Sequence, residues 1–225
     1  MFARDIFRLI FLSLMVPLLA FVLSAPATAQ SKPKPSAKVL RQGQKIFKEN
    51  CQVCHQADAI GKPGVAPSLT NPEFLAISSD KFLERTIRDG RADTSMMPFA
   101  HLGRSKVRAV VAFLRSHEKL RYRAKEADAQ PDARGDARFG KTWYMNICST
   151  CHGSDGNGYE SEGAGTAIGL PGFLDKVSDG YIRETVKVGR SNTRMLPFKG
   201  PTALAALTDR EIDDIIVYLR QAAKK

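Results

Sequence analysis

The sequence predicts an all-α protein that consists of two similar small domains in tandem. Apolar residues recur at the i, i+3, i+4, i+7 spacing of a core-facing helix in two places, Val107 to Leu114 and Ile212 to Leu219. No stretch has the apolar–polar alternation of a half-buried strand. A short cysteine motif and the residues around it occur twice, 97 residues apart. That arrangement is typical of tandem duplication.

Residues 1–29 have the three parts of a secretory signal peptide. Two arginines precede an apolar run over residues 9–23, and Ala27-Thr28-Ala29 matches the small-x-small cleavage pattern. We expect cleavage after Ala29 and export to the periplasm. The alternative is an uncleaved anchor, but the run is short for a span of about 20 residues and Pro17 interrupts it. Residues 30–38 are basic and contain two prolines, so we expect a flexible tail.

The motif C-x-x-C-H occurs twice, with Cys51, Cys54 and His55 in the first copy and Cys148, Cys151 and His152 in the second. This is the attachment signature of c-type haem, in which two thiols bond to one porphyrin and the histidine binds its iron. A zinc site and a dithiol redox pair are the alternatives. Zinc usually takes four ligands and no further cysteine remains, while a redox pair is expected in a βαβ setting. The motifs therefore predict two covalently bound haem c groups.

The repeat divides the mature chain into domain one at residues 39–120, a linker at residues 121–135 and domain two at residues 136–225. Matching residues are 97 apart up to the cysteine motifs, 101 apart at Gly64 and Gly165, and 99 apart from Phe173 onward. The linker is polar, and Pro131 and Gly135 interrupt it. It is either a solvated connector or a docking surface.

Helix boundaries can be placed from capping residues. Ser79 can cap a helix that ends at Gly90, with an apolar face between them. The last helix opens with Thr208 and Glu211, the two residues of a capping box.

The chain is basic, with a formal net charge of +11 over 225 residues. An acidic redox partner, an anionic membrane surface and nucleic acid are the usual partners of such charge. Basic and aromatic residues do not interleave, so no nucleic acid is expected. Between Arg104 and Lys141 there are eleven basic and five acidic residues, so much of the charge gathers there.

These motifs resemble the class I cytochromes c, specifically the bacterial members with two domains and two haems. The resemblance covers nearly all of the expected mature chain, and it rests on CQVCH and CSTCH, on GRADTSMMPF and GRSNTRMLPF, and on the glycine and aromatic residue of each first helix. In that family the first and last helices of a domain cross closely. This implies that Phe47 packs on Phe113 and that Tyr144 packs on Tyr218.

The resemblance also implies a methionine as the second axial ligand of each iron, which raises the reduction potential. Met195 has the expected position in domain two. Domain one offers Met96 and Met97, and the repeat register matches Met96 to Met195, so we expect Met96 to be the ligand. His101 and His117 are interpreted as exposed residues.

In this family the proximal histidine is oriented by the backbone carbonyl of a proline that follows the haem motif. Pro67 matches this position in domain one. The 101-residue offset places Ile168 there in domain two, a departure from the pattern, although only a carbonyl is needed.

The resemblance implies a periplasmic carrier that passes single electrons between redox partners in a respiratory or dehydrogenase-linked chain, without catalytic residues. The partners would be other redox proteins with acidic docking surfaces, and membrane-surface association is compatible with the charge. Two alternatives remain, a cytochrome subunit of a larger oxidoreductase complex and a dihaem peroxidase. A peroxidase needs an open axial position, and a methionine at each iron argues against it.

Overall fold

The computed structural model describes residues 34–224, so the expected signal peptide lies outside the described residues. Within this range the regular structure is helical, and the β structure is limited to an isolated bridge between Lys62 and Ala66. The all-α prediction is confirmed. Every helix in the described range is too short or too polar to cross a bilayer.

The helices of the first half surround the first cysteine motif. They are α1 (Ala37–Asn50), α2 (Gln52–His55), α3 (Pro72–Ile77), α4 (Asp80–Asp89) and α5 (Gly103–Arg115). The Ser36 side chain accepts a hydrogen bond from the Val39 N–H, so α1 includes the last two residues of the expected tail. The Ser79 hydroxyl accepts a bond at 3.2 Å from the Phe82 N–H, and α4 ends at Gly90 as predicted.

A short helix, α6 (Ala124–Asp128), separates this half from a second half that repeats it. The second half contains α7 (Ala137–Trp143), α8 (Ser149–His152), α9 (Pro171–Leu174), α10 (Asp179–Val188) and α11 (Asp209–Ala222). One turn of π-helix, Tyr144–Cys148, joins α7 to α8. The predicted capping box of Thr208 and Glu211 opens α11.

The first and last helices of each half cross at a glycine. A Cβ added at Gly43 of α1 would lie 1.9 Å from the carbonyl oxygen of Ala109 in α5. A Cβ at Gly140 of α7 would lie at the same 1.9 Å from the carbonyl oxygen of Asp214 in α11. Only glycine allows the backbones to approach this closely.

Aromatic rings pack beside both crossings. The ring centroids of Phe47 and Phe113 are 5.4 Å apart, and those of Tyr144 and Tyr218 are also 5.4 Å apart. Both pairs are as the family resemblance implied. The buried Tyr144 hydroxyl donates to the carbonyl of Gly153 at 2.7 Å, which ties this crossing to the end of the second haem motif.

An arginine of the last helix holds the middle of each half together. Arg115 donates at 2.8 Å to the carboxylate of Asp80 and also to the backbone carbonyls of Leu75 and Ser78. Arg220 makes the same three contacts with the equivalent residues of the second half. These bonds satisfy carbonyls at the α3–α4 and α9–α10 junctions.

The linker is packed between the halves. The N–H of Arg123 donates to the carbonyl of Ala76 in α3 at 2.7 Å. On the other side, Ala127 is buried, and its carbonyl oxygen would lie 1.9 Å from a Cβ at Gly180 in α10. The solvated-connector interpretation is therefore wrong for this segment, because α6 contacts both halves and joins them into one compact unit.

The two halves face each other through equivalent surfaces. Phe82 and Tyr181 are counterparts in the repeat, and their ring centroids lie 5.3 Å apart. Two arginine–aromatic pairs flank this contact, Arg91 over Phe173 at 4.7 Å and Arg190 over Phe74 at 5.7 Å. In the repeat, Arg190 is the counterpart of Arg91 and Phe173 is the counterpart of Phe74. The same contact therefore occurs once in each direction across the interface, as expected for an approximate two-fold axis.

Candidate haem sites

The expected attachment and ligand residues of the first half lie around one cavity of about 240 Å³. They are Cys51, Cys54, His55 and Met96. Most of the remaining wall is hydrophobic, with aromatic and aliphatic side chains from α1, α4 and α5. The fold therefore brings together two thiols, an imidazole and a thioether that are up to 45 residues apart in sequence.

The imidazole of His55 is held in one orientation. Its Nδ1 lies 2.9 Å from the carbonyl oxygen of Pro67, the acceptor that the family resemblance implied. A carbonyl only accepts, so Nδ1 carries the proton and Nε2 keeps the lone pair that can bind a metal. Burial lowers the pKa of His55, and the hydrogen bond offsets this only in part, so the ring is neutral at pH 7.

His152 has an equivalent bond, but not with the expected residue. Its Nδ1 lies 2.7 Å from the carbonyl oxygen of Thr166, so the prediction of Ile168 is wrong. Ile168 is instead the counterpart of Leu69, since both donate their N–H at 2.8 Å to equivalent carbonyls after the haem motif. Pro67 and Thr166 are therefore counterparts and lie 99 residues apart. The glycines before them, Gly64 and Gly165, are 101 residues apart, and extending that spacing to the next residues led to the wrong prediction. Burial lowers the pKa of His152 as well.

Gly165 makes room for the second imidazole. A Cβ at this position would lie 2.7 Å from both Cε1 and Nδ1 of His152. Any larger residue would push the ring away from its carbonyl partner. The glycine was visible in the sequence, but its contact with the ring was not.

The four cysteines of the two motifs form no disulfide with one another, and all four are half-buried. Burial, with a smaller contribution from the second thiol of each pair, raises the pKa of Cys51 to about 11 and that of Cys148 to about 12. Redox-active C-x-x-C pairs have the opposite property, a lowered thiol pKa that favours the thiolate. The environment therefore argues against a dithiol redox pair.

Two loops with the same hydrogen bonds carry the expected methionines. In the first loop the Arg91 N–H donates to the Met96 carbonyl at 2.9 Å, and the Met96 N–H donates to the Thr94 hydroxyl at 3.2 Å. The second loop repeats both bonds, at 2.7 and 3.0 Å, with Arg190, Thr193 and Met195. This match supports the register that pairs Met96 with Met195.

Each loop starts at a glycine that no other residue replaces easily. Gly90 and Gly189 have φ of 64° and 70°, a conformation that side chains with a Cβ rarely adopt. A Cβ at either position would also lie 2.5 Å from the carbonyl oxygen of the methionine in its loop. The G-R-x-x-x-x-M spacing thus reflects a tight closed loop.

Exposure separates the two methionine candidates of the first half. Both line the cavity, but the Met97 side chain is 69% exposed and Met96 is half-buried, which favours Met96. His101 is exposed, as expected. His117 is not, because it lies edge-on to Phe113 at 5.1 Å and its Nε2 is buried without a hydrogen-bond partner in the described range.

The sequence did not indicate that the second half closes the first cavity. Tyr159, Glu160 and Thr166 line it from across the interface. Arg91 also lines it, and burial lowers the pKa of this side chain to about 10. Within residues 34–224 no carboxylate pairs with Arg91, and the buried hydroxyl of Thr86 has no hydrogen-bond partner. These groups, with the donor set, fit a haem c, whose propionates are anionic.

Comparison with protein families decides the identity of the fold. The model described as cytochrome c oxidase, cbb3-type, subunit III matches residues 38–114, and the cytochrome c model matches residues 137–223. Both halves of the chain are cytochrome c domains. The cytochrome therefore carries two covalent haem c groups, as the motifs predicted, and the prediction of two tandem domains of this type is confirmed.

Its curated relatives include subunits of cbb3-type cytochrome c oxidases. The CcoP subunit of Rubrivivax gelatinosus is 31% identical over 171 residues, which are 76% of this chain and 50% of that protein. The FixPc subunit of Rhizobium leguminosarum bv. viciae is 31% identical over 151 residues, 63% of this chain and 49% of that protein. The cytochrome thus spans about half the length of these relatives.

A solved structure has the same fold over most of the chain. It is a chain of the Kuenenia stuttgartiensis reducing HAO-like protein complex, which superposes with a TM-score of 0.52 at 18% identity. The match covers 84% of the cytochrome and 98% of that chain. At this identity the likeness establishes the fold, and electron transfer through haem follows from the family.

Proposed function

We propose that this cytochrome is exported to the periplasm and carries single electrons between redox proteins, each iron being bound by one histidine and one methionine. The observation that carries the proposal is the cavity of the first half, where Cys51, Cys54, His55 and Met96 meet. The matching loop geometry of the second half supports the equivalent roles for Cys148, Cys151, His152 and Met195.

A bound haem c supplies an iron that gains and loses one electron. The residues of the chain fix its surroundings. The Pro67 carbonyl holds the His55 ring with Nε2 free for the metal, and the closed loop after Gly90 presents Met96. The hydrophobic wall excludes water, so charge changes cause little rearrangement around the site.

Covalent attachment and ligand identity can be tested together. Denaturing mass measurement of the mature protein should give the chain from Gln30 onward plus two haems. The charge-transfer band between methionine and ferric iron should lose about half of its intensity in Met96→Ala and keep it in Met97→Ala, because each of two similar haems contributes about half of the band. Retention of the band in Met96→Ala would overturn the assignment.

One histidine and one methionine at each iron would leave no site for peroxide. We therefore expect carbon monoxide to change the spectrum of the reduced protein very little. Rapid stoichiometric binding at one haem, with peroxide consumption to match, would favour the peroxidase alternative instead.

The charge distribution supports an acidic partner that docks on the first domain. Residues 39–120 contain 13 Lys and Arg against 8 Asp and Glu, a balance of +5, while residues 136–225 contain 12 against 11, a balance of +1. Opposite charges on the two partners accelerate association. An electron donor and an acceptor that differ in surface charge could then use different domains.

A second candidate function is a fixed subunit of a terminal oxidase or a similar membrane complex. The match of residues 38–114 to subunit III of cbb3-type oxidases favours it. Fractionation of cells separates the two candidates. A free carrier appears in the periplasmic fraction with its chain cleaved after Ala29, whereas a subunit stays in the membrane fraction and copurifies with a larger complex after mild detergent extraction.

A further inference from the structure

One side chain connects the methionine loop of the first site to the second half. The backbone N–H of Arg91 closes the Met96 loop through its bond to the Met96 carbonyl at 2.9 Å. The guanidinium then crosses the interface, where Nη2 donates to the carbonyl oxygen of Ala167 at 2.6 Å. Its central carbon also lies 4.7 Å from the centre of the Phe173 ring, a cation–π contact.

The acceptor of this bond belongs to the segment that orients the second proximal histidine. Ala167 directly follows Thr166, whose carbonyl oxygen is 2.7 Å from Nδ1 of His152. Consecutive peptide planes share a Cα, so holding the Ala167 carbonyl restricts the direction of the Thr166 carbonyl as well. Arg91 thus connects the distal side of one site to the proximal side of the other.

A second contact keeps the same two segments together. The N–H and hydroxyl of Ser95, in the Met96 loop, donate to one carboxylate oxygen of Glu160 at 2.9 and 3.0 Å. Glu160 lies in the turn just before the Thr166 segment and lines the first cavity. The loop is therefore bonded to the second half on both sides of its turn.

The equivalent arginine does not make the reverse connection. Arg190 donates to the hydroxyls of Tyr181 at 3.2 Å and Thr185 at 2.8 Å, both in its own half. Its loop is joined to the first half by Ser191, which donates to Glu73 in α3 at 2.9 and 3.0 Å. Glu73 lies six residues beyond Pro67, but within residues 34–224 the Arg190 side chain makes no hydrogen bond to the segment that orients His55. The link through Arg91 therefore has a direction, from the first methionine loop to the second histidine.

We propose that Arg91 is a positioning residue shared by both haem sites, which closes the Met96 loop with its backbone and holds the Thr166 carbonyl in line with His152 through its guanidinium. The proposal rests on the proposed roles of Met96 and His152 as ligands. Because one rigid group serves both sites, a displacement of the Met96 loop changes the hydrogen bond at the second histidine.

The test uses the full-length protein with both haems. In the reduced, diamagnetic form, exchange of the His55 and His152 Nδ1 protons with D₂O is measured by NMR after ¹⁵N-histidine labelling. In Arg91→Gln the His152 proton should exchange about fivefold faster or more, the change expected when the net stabilisation of one hydrogen bond is lost. Arg190→Gln is the matched control and should leave this rate within about twofold, since its side chain bonds Tyr181 and Thr185 and neither bond reaches the segment that orients His152.

An unchanged His152 rate in Arg91→Gln overturns the proposal, as does an equal acceleration in Arg190→Gln, which indicates general loosening of the interface. If Arg91→Gln yields no folded protein, Arg91→Lys takes its place, because lysine keeps the positive charge but lacks the planar guanidinium group. The His152 proton must again exchange faster than in the unsubstituted protein. An intact charge-transfer band in Met96→Ala would show that Met96 is not the ligand. The exchange rate of the His152 proton could still be measured and interpreted in that case. The ligand assignment and the Arg91 proposal can therefore fail separately.

Discussion

Gly140→Ala should destabilise the second domain, and the size of the effect follows from the helix crossing. The new Cβ would lie 1.9 Å from the carbonyl oxygen of Asp214 and 2.9 Å from Cβ of Tyr218. Ordinary contacts begin at 3.4 Å, so α7 and α11 would have to separate by 3.4 − 1.9 = 1.5 Å. The nearest atom is backbone, which cannot rotate away.

The cost combines two opposing contributions. Inserting a methyl group into a packed interface costs about 1–3 kcal/mol and sometimes more, and a backbone neighbour places this site at or above the upper limit, at about 3–4 kcal/mol. Alanine returns about 1 kcal/mol through its higher helix propensity. The free energy of unfolding should therefore fall by about 2–3 kcal/mol.

Unfolding in guanidinium chloride measures this through Trp143, the single tryptophan, which packs against the core next to the crossing. With a slope of about 3–4 kcal/mol per molar, the midpoint should fall by about 0.5–1 M. Lys141→Ala changes an exposed residue of the same helix and should alter the free energy of unfolding by less than about 0.5 kcal/mol. A midpoint in Gly140→Ala equal to that of this control would refute the close-packing argument.

Three further predictions concern charge. Hydrogen bonds from Lys199 and Lys187 hold the pKa of Asp209 down at about 2. Its stabilisation is therefore fully present above the unfolded pKa of about 4 and is lost as the pH falls through 2. Because the side chain is 59% exposed, Asp209→Asn should cost no more than about 1 kcal/mol at pH 7 and only a small part of that at pH 2, measured by chemical unfolding. Arg220→Met should lower the free energy of unfolding by about 2–3 kcal/mol. This is below the range for fully buried ion pairs, because the Arg220 side chain is 27% exposed. An unchanged unfolding midpoint would contradict its role in holding the α9–α10 junction. Oxidation of the reduced protein by anionic ferricyanide should slow with added salt, while oxidation by a cationic cobalt complex should speed up. The reason is that the Debye length shrinks from about 30 Å at 0.01 M salt to about 10 Å at 0.1 M. Equal salt dependence for both oxidants would contradict steering by the basic surface.

Features set by neighbouring residues were predictable from the sequence. The C-x-x-C-H spacing keeps two thiols and an imidazole within five consecutive residues, so the two haems followed from the motif alone. Ser79, Gly90 and the capping box of Thr208 and Glu211 act within one or two turns of backbone, and the structure has them where they were expected. The aromatic pairs required the family resemblance, because only the crossing of distant helices brings them together.

Comparison of the two repeats could not predict which residue of the second loop bonds His152. Matching the glycines gave an offset of 101 and pointed to Ile168, whereas the hydrogen bonds of the loop select the Thr166 carbonyl for His152. Loops of different length can place the same residue type at different positions. The chain adopts the register that satisfies its buried N–H and carbonyl groups.

The sequence by itself determined the chemistry of this cytochrome, namely two covalent haems in two helical domains, because that chemistry depends on residues within one turn of each other. Only the tertiary structure decided how the domains act on each other. The packing of α6 between the halves, the closure of the first cavity by Tyr159 and Glu160, and the reach of Arg91 to Ala167 join residues that are distant in sequence. Arg91 and Ala167 are 76 positions apart, and Cys51 and Glu160, which line the same cavity, are 109 positions apart. Such contacts leave no periodic pattern in the chain, since they arise when two already folded surfaces meet and bury their polar groups against each other.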